Sequence, residues 1–243
     1  MKDLIVDEIF NPYTLNVFTD ASVKMVGNYF IACPGAVAVT TFNGLPYICN
    51  QQAYLSYDST NNSGEIQAVR LGIFLANMYK YRFRVINLFA DSNICISGLN
   101  VWLDSWIKNA KNGSFVNSSR KPVENQDTFK NIIDDIITNQ LYINFYHQKG
   151  HVDVKNKDSV DNAINVFRTI NNINPSTNLI ENLSKYNNEV DIMTKVYLDN
   201  VEKSLIGMKT EKMVYRDFYN NKQGLEQFRN ITNQFKKGWI NNV

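Results

Sequence analysis

The sequence has little with which to staple itself. Its three cysteines, Cys33, Cys49 and Cys95, lack the close pairing of a metal site, and an odd, unpatterned set argues against a disulfide framework. No apolar run approaches the ~18 residues that a membrane-crossing helix needs, so no membrane partner is expected. The opening stretch carries Asp3, Asp7 and Glu8 where a signal peptide would have its apolar core. A cytoplasmic protein, of a cell or of an infected host, is expected. An excess of one charge is missing too: 25 Lys+Arg stand against 23 Asp+Glu, a net +2. Nucleic-acid binders often announce themselves by a strongly basic balance, and composition gives no such sign here.

What is present is enough apolar material for a core, 44% of 243 residues. That length suits one ordinary domain with an extension, or two small domains. Residues 1–13 read as a short leader. A first strand is expected at about 14–21, where Leu15, Val17 and Ala21 alternate with polar or small residues. It ends on Asp20, a residue type that strands disfavour and that a buried position tolerates only when its charge is held. A second strand at about 34–42, the hairpin signal Asn43-Gly44 and a third strand from Pro46 to Leu55 make an antiparallel meander. A polar capping region at 58–63 precedes a helix to Tyr79, with Ile66, Val69, Ile73 and Ala76 on one face. A fourth strand, 84–90, again ends on a carboxylate, Asp91, and the crossover makes it parallel to the first. Helices carrying Trp102 and Trp106, an irregular segment at 108–123, a helix at 126–138, a fifth strand at 141–146 and a helix at 160–169 complete the pattern.

Four acids stand out: Asp20, Glu65, Asp91 and Asp161. If the first and fourth strands are neighbours, Asp20 and Asp91 leave the sheet at one edge, within reach of Glu65 in the first turn of the intervening helix. Clustered carboxylates cannot all ionise unless cations sit among them. Hard oxygen ligands suit Mg²⁺, and two such ions about 4 Å apart can activate a water and stabilise a phosphodiester's leaving oxygen. Each acid alone has a plainer reading; Asp161, for example, is also a helix first-turn acid favoured by the dipole.

The chain resembles type 1 ribonuclease H over residues 14 to about 170. The pieces stand in that family's order: Phe18-Thr19-Asp20-Ala21-Ser22, Thr60-Asn61-Asn62 with Glu65, Asp91-Ser92-Asn93, and Gly150-His151 with Asp161 ten residues on. Trp102, Trp106 and the segment 121–125 are similar to the family's helical protrusion. The resemblance implies a ribonuclease H-like α/β fold. Its mixed sheet has five strands, the first three antiparallel, the fourth and fifth parallel to the first, flanked by helices. It implies an endonuclease that cuts the RNA strand of an RNA–DNA hybrid with two Mg²⁺ ions, or Mn²⁺. Asp20, Glu65, Asp91 and Asp161 would ligate the metals, with Glu65 near the RNA 2′-hydroxyl and His151 assisting proton transfer or product release. Asn61 and Asn62 would enter the minor groove, Thr60 would hold a DNA phosphate, and Asn93 stands where the family often has a longer Gln. A resolvase- or integrase-type nuclease of the same superfamily, or a non-cleaving hybrid-binding domain, is the alternative.

Two departures matter. The protrusion carries only Lys108, Lys111, Arg120 and Lys121 as cations. Residues 171–243 have no counterpart in the minimal family domain, and a domain boundary is expected at 171–175. This extension holds 10 Lys+Arg against 8 Asp+Glu, so the net positive charge of the chain lies in it. Two amphipathic helices are expected there. One spans Glu189–Leu205 with Ile192, Val196 and Val201 as its apolar positions. The other spans Glu211–Trp239 and ends in the basic set Lys222, Arg229, Lys236 and Lys237. The extension either packs on the domain, docks a protein partner, or grips the hybrid's phosphates.

Overall fold

The computed structural model describes residues 2–26, 29–57 and 60–208. A short strand β1 (Lys2–Leu4) and a single-turn helix α1 (Val6–Ile9) lead into β2 (Thr14–Val26), β3 (Tyr29–Phe42), β4 (Leu45–Ala53) and the two-residue β5 (Ser56–Tyr57). Helix α2 (Asn61–Tyr79), β6 (Val85–Ala90), α3 (Asn93–Ser97), a π-helical turn and α4 (Leu103–Lys108) follow. The chain continues through α5 (Gln126–Thr138), β7 (Ile143–His147), α6 (Lys157–Asn171), β8 (Ile173–Pro175) and α7 (Thr177–Met208). The main sheet runs β4-β3-β2-β6-β7, with β5 added beside β3. β2, β3 and β4 are antiparallel, and β6 and β7 lie parallel to β2, as expected. No helix among the described residues is long and apolar enough to cross a membrane.

Alternation along β2 sorts its side chains to two faces. Leu15 and Val17 pack under α2 and α5 with Ile66, Val69, Ile73, Phe129 and Ile132. Phe18 faces the other way, into a second core built by α1, α6 and α7. On that face the parallel strands stack like residues in rows. Asn87 donates to Asn16 (2.9 Å) and Asn144 to Asn87 (3.0 Å), while Asn16 donates to the Ile9 carbonyl (2.9 Å). The next row is aromatic: Phe18 stacks on Phe89 at 5.1 Å and Phe89 on Tyr146 at 5.2 Å.

Two expectations are corrected by this packing. The first strand does not stop at 21; β2 and β3 run on as a paired hairpin arm to Val26 and Tyr29. The boundary expected at 171–175 falls inside one packed unit. There β8 pairs with β1 in parallel, and Leu179, Ile180, Leu183, Tyr186, Val190 and Met193 of α7 bury against Phe18, Val37 and Phe89. Gly35 lets α7 come this close, since a Cβ there would meet Thr194 and, at 2.9 Å, Met193. Ile192 and Val196, read from the sequence as a buried face, are 49% and 44% exposed. The stretch Glu211–Trp239, with its basic end, lies outside the described residues.

The segment at 108–123 is more ordered than expected. Phe115 and Val123 pack with Trp106 in the core, and Val116 forms a bridge with Pro122. Trp106 is buried, edge-on to Phe129 at 5.1 Å, whereas Trp102 is 39% exposed beside it.

Candidate active site

Register and a small helix residue bring three acids together. Asp20 lies two positions past Phe18 on β2, and Asp91 two past Phe89, so the Phe18–Phe89 pairing sets them side by side at the sheet edge. Thr60 caps α2, accepting a hydrogen bond from Ser63 N–H at 3.2 Å. Gly64 then lies almost on the sheet: a Cβ there would stand 3.3 Å from Ala21 and 3.1 Å from Ala32. Glu65, the next residue, is thereby lowered onto Asp20. Carboxylate oxygens of Asp20, Glu65 and Asp91 all lie within 4.8 Å of one another.

Such a cluster is electrostatically unfavourable without a cation. Burial and the neighbouring Asp91 push Asp20 up to about 7, partly offset by the Ala21 N–H that donates to its Oδ1 at 2.7 Å. Burial, Asp20 and Asp91 push Glu65 up to about 9. Burial also raises Asp91, and the nearby His151 acts against that shift. Hard oxygen donors, close-set and short of countercharge, are the donor set that Mg²⁺ or Mn²⁺ takes.

A fourth carboxylate reaches the site, but from α7. Asp191 is 8% exposed and raises both Asp20 and Asp91. Lys195, one turn further along α7, meets Asp191 Oδ2 at 2.7 Å, and His151 Nδ1 lies 3.9 Å from the same oxygen. These groups line a cleft of about 530 Å³ with Asp20, Glu65, Asp91 and Asn61. Asp161 is the fourth acid expected from the sequence. It is exposed on α6 and forms no part of this lining. The reason is rotation: α6 buries Val160, Ala163 and Phe167, and Asp161, a single step past Val160, turns away from that stripe.

His151 does reach the cleft, on a loop where its φ is +52° and its side chain is 73% exposed. Asn61 lines the cleft as well. Asn62 is exposed beside it, and Asn93, also exposed, accepts from the Ser97 hydroxyl at 2.8 Å; neither lines the cleft. Sequence reading missed Asp191 and Lys195. A signal existed: Asp191 is flanked by the buried Val190, Met193 and Thr194, an acid placed against the apolar stripe of an amphipathic helix.

The chain is similar to known proteins over its first two thirds. The RNase H family model matches residues 12–166, a segment that ends within α6 and before α7. Ribonuclease H of Ruthia magnifica subsp. Calyptogena magnifica is 32% identical over 109 residues, 45% of this chain and 68% of that protein. Ribonuclease H of Thermoanaerobacter sp. (strain X514) is 33% identical over 97 residues, and the match spans 56% of its length. Ribonuclease HI of Haemophilus influenzae is 30% identical over 152 residues, 62% of this chain and 86% of that protein. Among solved structures, LC9-RNase H1, a type 1 RNase H with the type 2 active-site motif, is 16% identical with a TM-score of 0.47, covering 66% of this chain and 74% of that one. Since the family model spans more than half of its length, this chain belongs to the RNase H family.

Proposed function

We propose that the protein hydrolyses the RNA strand of RNA–DNA hybrids endonucleolytically, with divalent metal held by Asp20, Glu65 and Asp91 and with Asp191 as the fourth carboxylate. The observation that carries this reading is the trio, Asp20 buried and Glu65 and Asp91 half-buried, whose oxygens lie within 4.8 Å. Two Mg²⁺ ions, or Mn²⁺, would supply there an activated water and a charge sink for the leaving 3′-oxygen. The chain's own groups do the rest. Glu65 lies at the α2 end of the cleft, where it meets the RNA 2′-hydroxyl, the group that distinguishes RNA from DNA. Asn61 and Asn62 project from the same helix end toward the minor groove. Thr60 would hold a phosphate of the DNA strand, fixing register without reading sequence, and Asn93 stands where the family often has a longer Gln. Lys195 holds Asp191 and offsets part of the site's negative charge. R-loops and replication primers in a cytoplasm are the hybrids such an activity would clear.

One assay tests the reaction: the protein with Mg²⁺ on labelled RNA–DNA, RNA–RNA, DNA–DNA and single-stranded RNA. Cleavage confined to the RNA of the hybrid is expected. Cutting of branched or duplex DNA would favour a resolvase- or integrase-type nuclease, and binding without cutting would leave an interaction domain.

The choice between the two candidate fourth acids has its own test. Asp191→Asn is expected to lower turnover by roughly 10–100-fold, the usual cost of disturbing a metal's immediate surroundings. Asp161→Asn, a surface change, is expected to stay within about twofold of the parent. The reverse ranking would restore Asp161 and remove Asp191.

His151 is proposed to shuttle a proton or to speed product release, given its exposed loop position and its proximity to Asp91 and Asp191. His151→Ala is expected to slow turnover by roughly 10²–10⁴-fold if the imidazole is a full general acid–base group, and by less if it only aids release. Single-turnover and steady-state rates separate the two roles. If both rates match the parent's, His151 is an ordinary loop residue.

A further inference from the structure

We infer that His147 and Asn171 are positioning residues for Asp91, and that through them α6 sets where this carboxylate sits. The inference rests on the reading of Asp91 as a metal ligand. The β6–β7 ladder ends at the pair Ala90–His147, with Gln148 N–H donating to the Ala90 carbonyl at 3.0 Å. The next carbonyl, that of Asp91, lies beyond the last paired residues of the two strands. His147 supplies a side-chain donor instead: its Nε2 lies 3.0 Å from Asp91 O. A carbonyl only accepts, so the ring carries its proton on Nε2. The ring is 6% exposed, and its Nδ1 is buried with no hydrogen-bond partner. Its one directed interaction is therefore with the Asp91 main chain.

The imidazole can aim only if its own backbone is fixed, and Asn171 fixes it. His147 N–H donates to Asn171 Oδ1 at 2.8 Å, and Asn171 Nδ2 donates to His147 O at 2.7 Å. This two-bond amide pairing takes the place of a neighbouring strand along the outer edge of β7. Asn171 also donates to Phe167 O at 3.0 Å, which ties the arrangement to the last turn of α6. From the opposite side Gly150 lies directly on the Asp91 carboxylate, so close that any Cβ there would collide with Oδ2. Asp91 is thus held at its peptide by the last residue of β7 and confined at its carboxylate by Gly150, in the segment joining β7 to α6. Neither His147 nor Asn171 lines the cleft; any effect they have on the reaction passes through Asp91.

Two variants separate this role from simple packing. His147→Phe keeps a buried ring and removes the donor. Asn171→Ala leaves the imidazole and removes its anchor. Calorimetric titration of Mg²⁺ into each protein without substrate is expected to give a Kd about tenfold higher than the parent's, the lower end for residues that orient a ligand. Cleavage at limiting Mg²⁺ should fall in proportion and recover at high Mg²⁺, with the KM for hybrid unchanged. Because the two links act in series, the double variant should bind Mg²⁺ no more weakly than His147→Phe. A folded variant of either kind with the parent's Mg²⁺ affinity overturns the inference. If His147→Phe fails to fold, Asn171→Ala decides alone. A parent protein that binds no Mg²⁺ and cuts no hybrid would remove the metal-site reading, and this inference with it. A parent that does both, beside variants that match it, removes the inference alone.

Discussion

Asp20→Asn is expected to abolish Mg²⁺-dependent cleavage and, without metal at pH 8, to melt at a higher temperature than the parent protein. The two effects have one cause. Asp20, Glu65 and Asp91 crowd their charges in a largely enclosed corner, a repulsion that a bound cation would relieve. In the folded chain Asp20 is pushed up to about 7 from 3.8, and Glu65 to about 9 from 4.5, by burial first and by their neighbours second. The folded state therefore binds more protons than the unfolded chain between those limits. Stability must fall as pH rises through that window, from about 4 toward 9, and Mg²⁺ must flatten the decline. Replacing Asp20 with its neutral isostere removes one charge from the cluster and one ligand from the metal. For a chain of this size, each kcal/mol of relieved repulsion raises Tm by about 2–4 °C. Thermal melts across pH, with and without Mg²⁺, read the first effect, and hybrid cleavage reads the second. Retained cleavage would remove Asp20 from the metal site. A metal-free Asn variant that melts lower than the parent would refute the account of stored repulsion.

A chain cut after Asn174 is expected not to fold. At the sequence level this cut looks like the clean removal of an appendage. The packing says otherwise: α7 buries Leu179, Ile180, Leu183, Tyr186, Val190 and Met193 against the sheet. At roughly 1.5–3 kcal/mol for each large apolar side chain fully buried, the loss rivals the whole 5–15 kcal/mol of a typical domain. The cut also removes Asp191 and Lys195 from the cleft. Far-UV circular dichroism and thermal melting of residues 1–174 test this. A cooperative transition near the parent's Tm would show α7 to be dispensable. The role of the basic set Lys222, Arg229, Lys236 and Lys237 needs a later cut, after Met208. If that set grips the hybrid's phosphates, its removal weakens binding and lowers the log–log salt slope by up to about one unit per lost contact.

The legible parts of this protein are those written locally. Alternation and the Asn43-Gly44 turn mark the meander, and an acid closing an apolar run is conspicuous twice, at Asp20, past which β2 continues to Val26, and at Asp91, just beyond β6. Glu65 follows from the capping region by spacing alone. The illegible parts depend on tertiary rotation. Nothing near Asp161 reveals that Val160, rather than its neighbour, faces the sheet. Along α7 the face that packs includes Asn187, Asp191 and Thr194, so a search for apolar spacing settles on Ile192 and Val196, which point outward. Polar residues on that face find polar partners in the sheet: Ser22 and Thr194 share a hydrogen bond of 2.8 Å. Charge also escapes composition. A balanced total conceals a cleft whose acids outnumber its cations.

Asn16, Asn87 and Asn144 have a consequence for the cleft they never touch. Parallel strands rich in Val, Leu and Phe can slide by two residues and still present apolar side chains to the same face. Such a slide of β6 along β2 would place Asn87 opposite Phe18 or Thr14 and leave buried amides unpaired, at a cost of about 1–3 kcal/mol for each orphaned group. It would also carry Asp91 about 7 Å from its place beside Asp20, at roughly 3.3 Å per residue, too far for both to ligate one ion. The amide row thus works as a vernier. It penalises every registration of the sheet except the one in which two distant acids face each other, and the accuracy of the candidate metal site is set two rows below it.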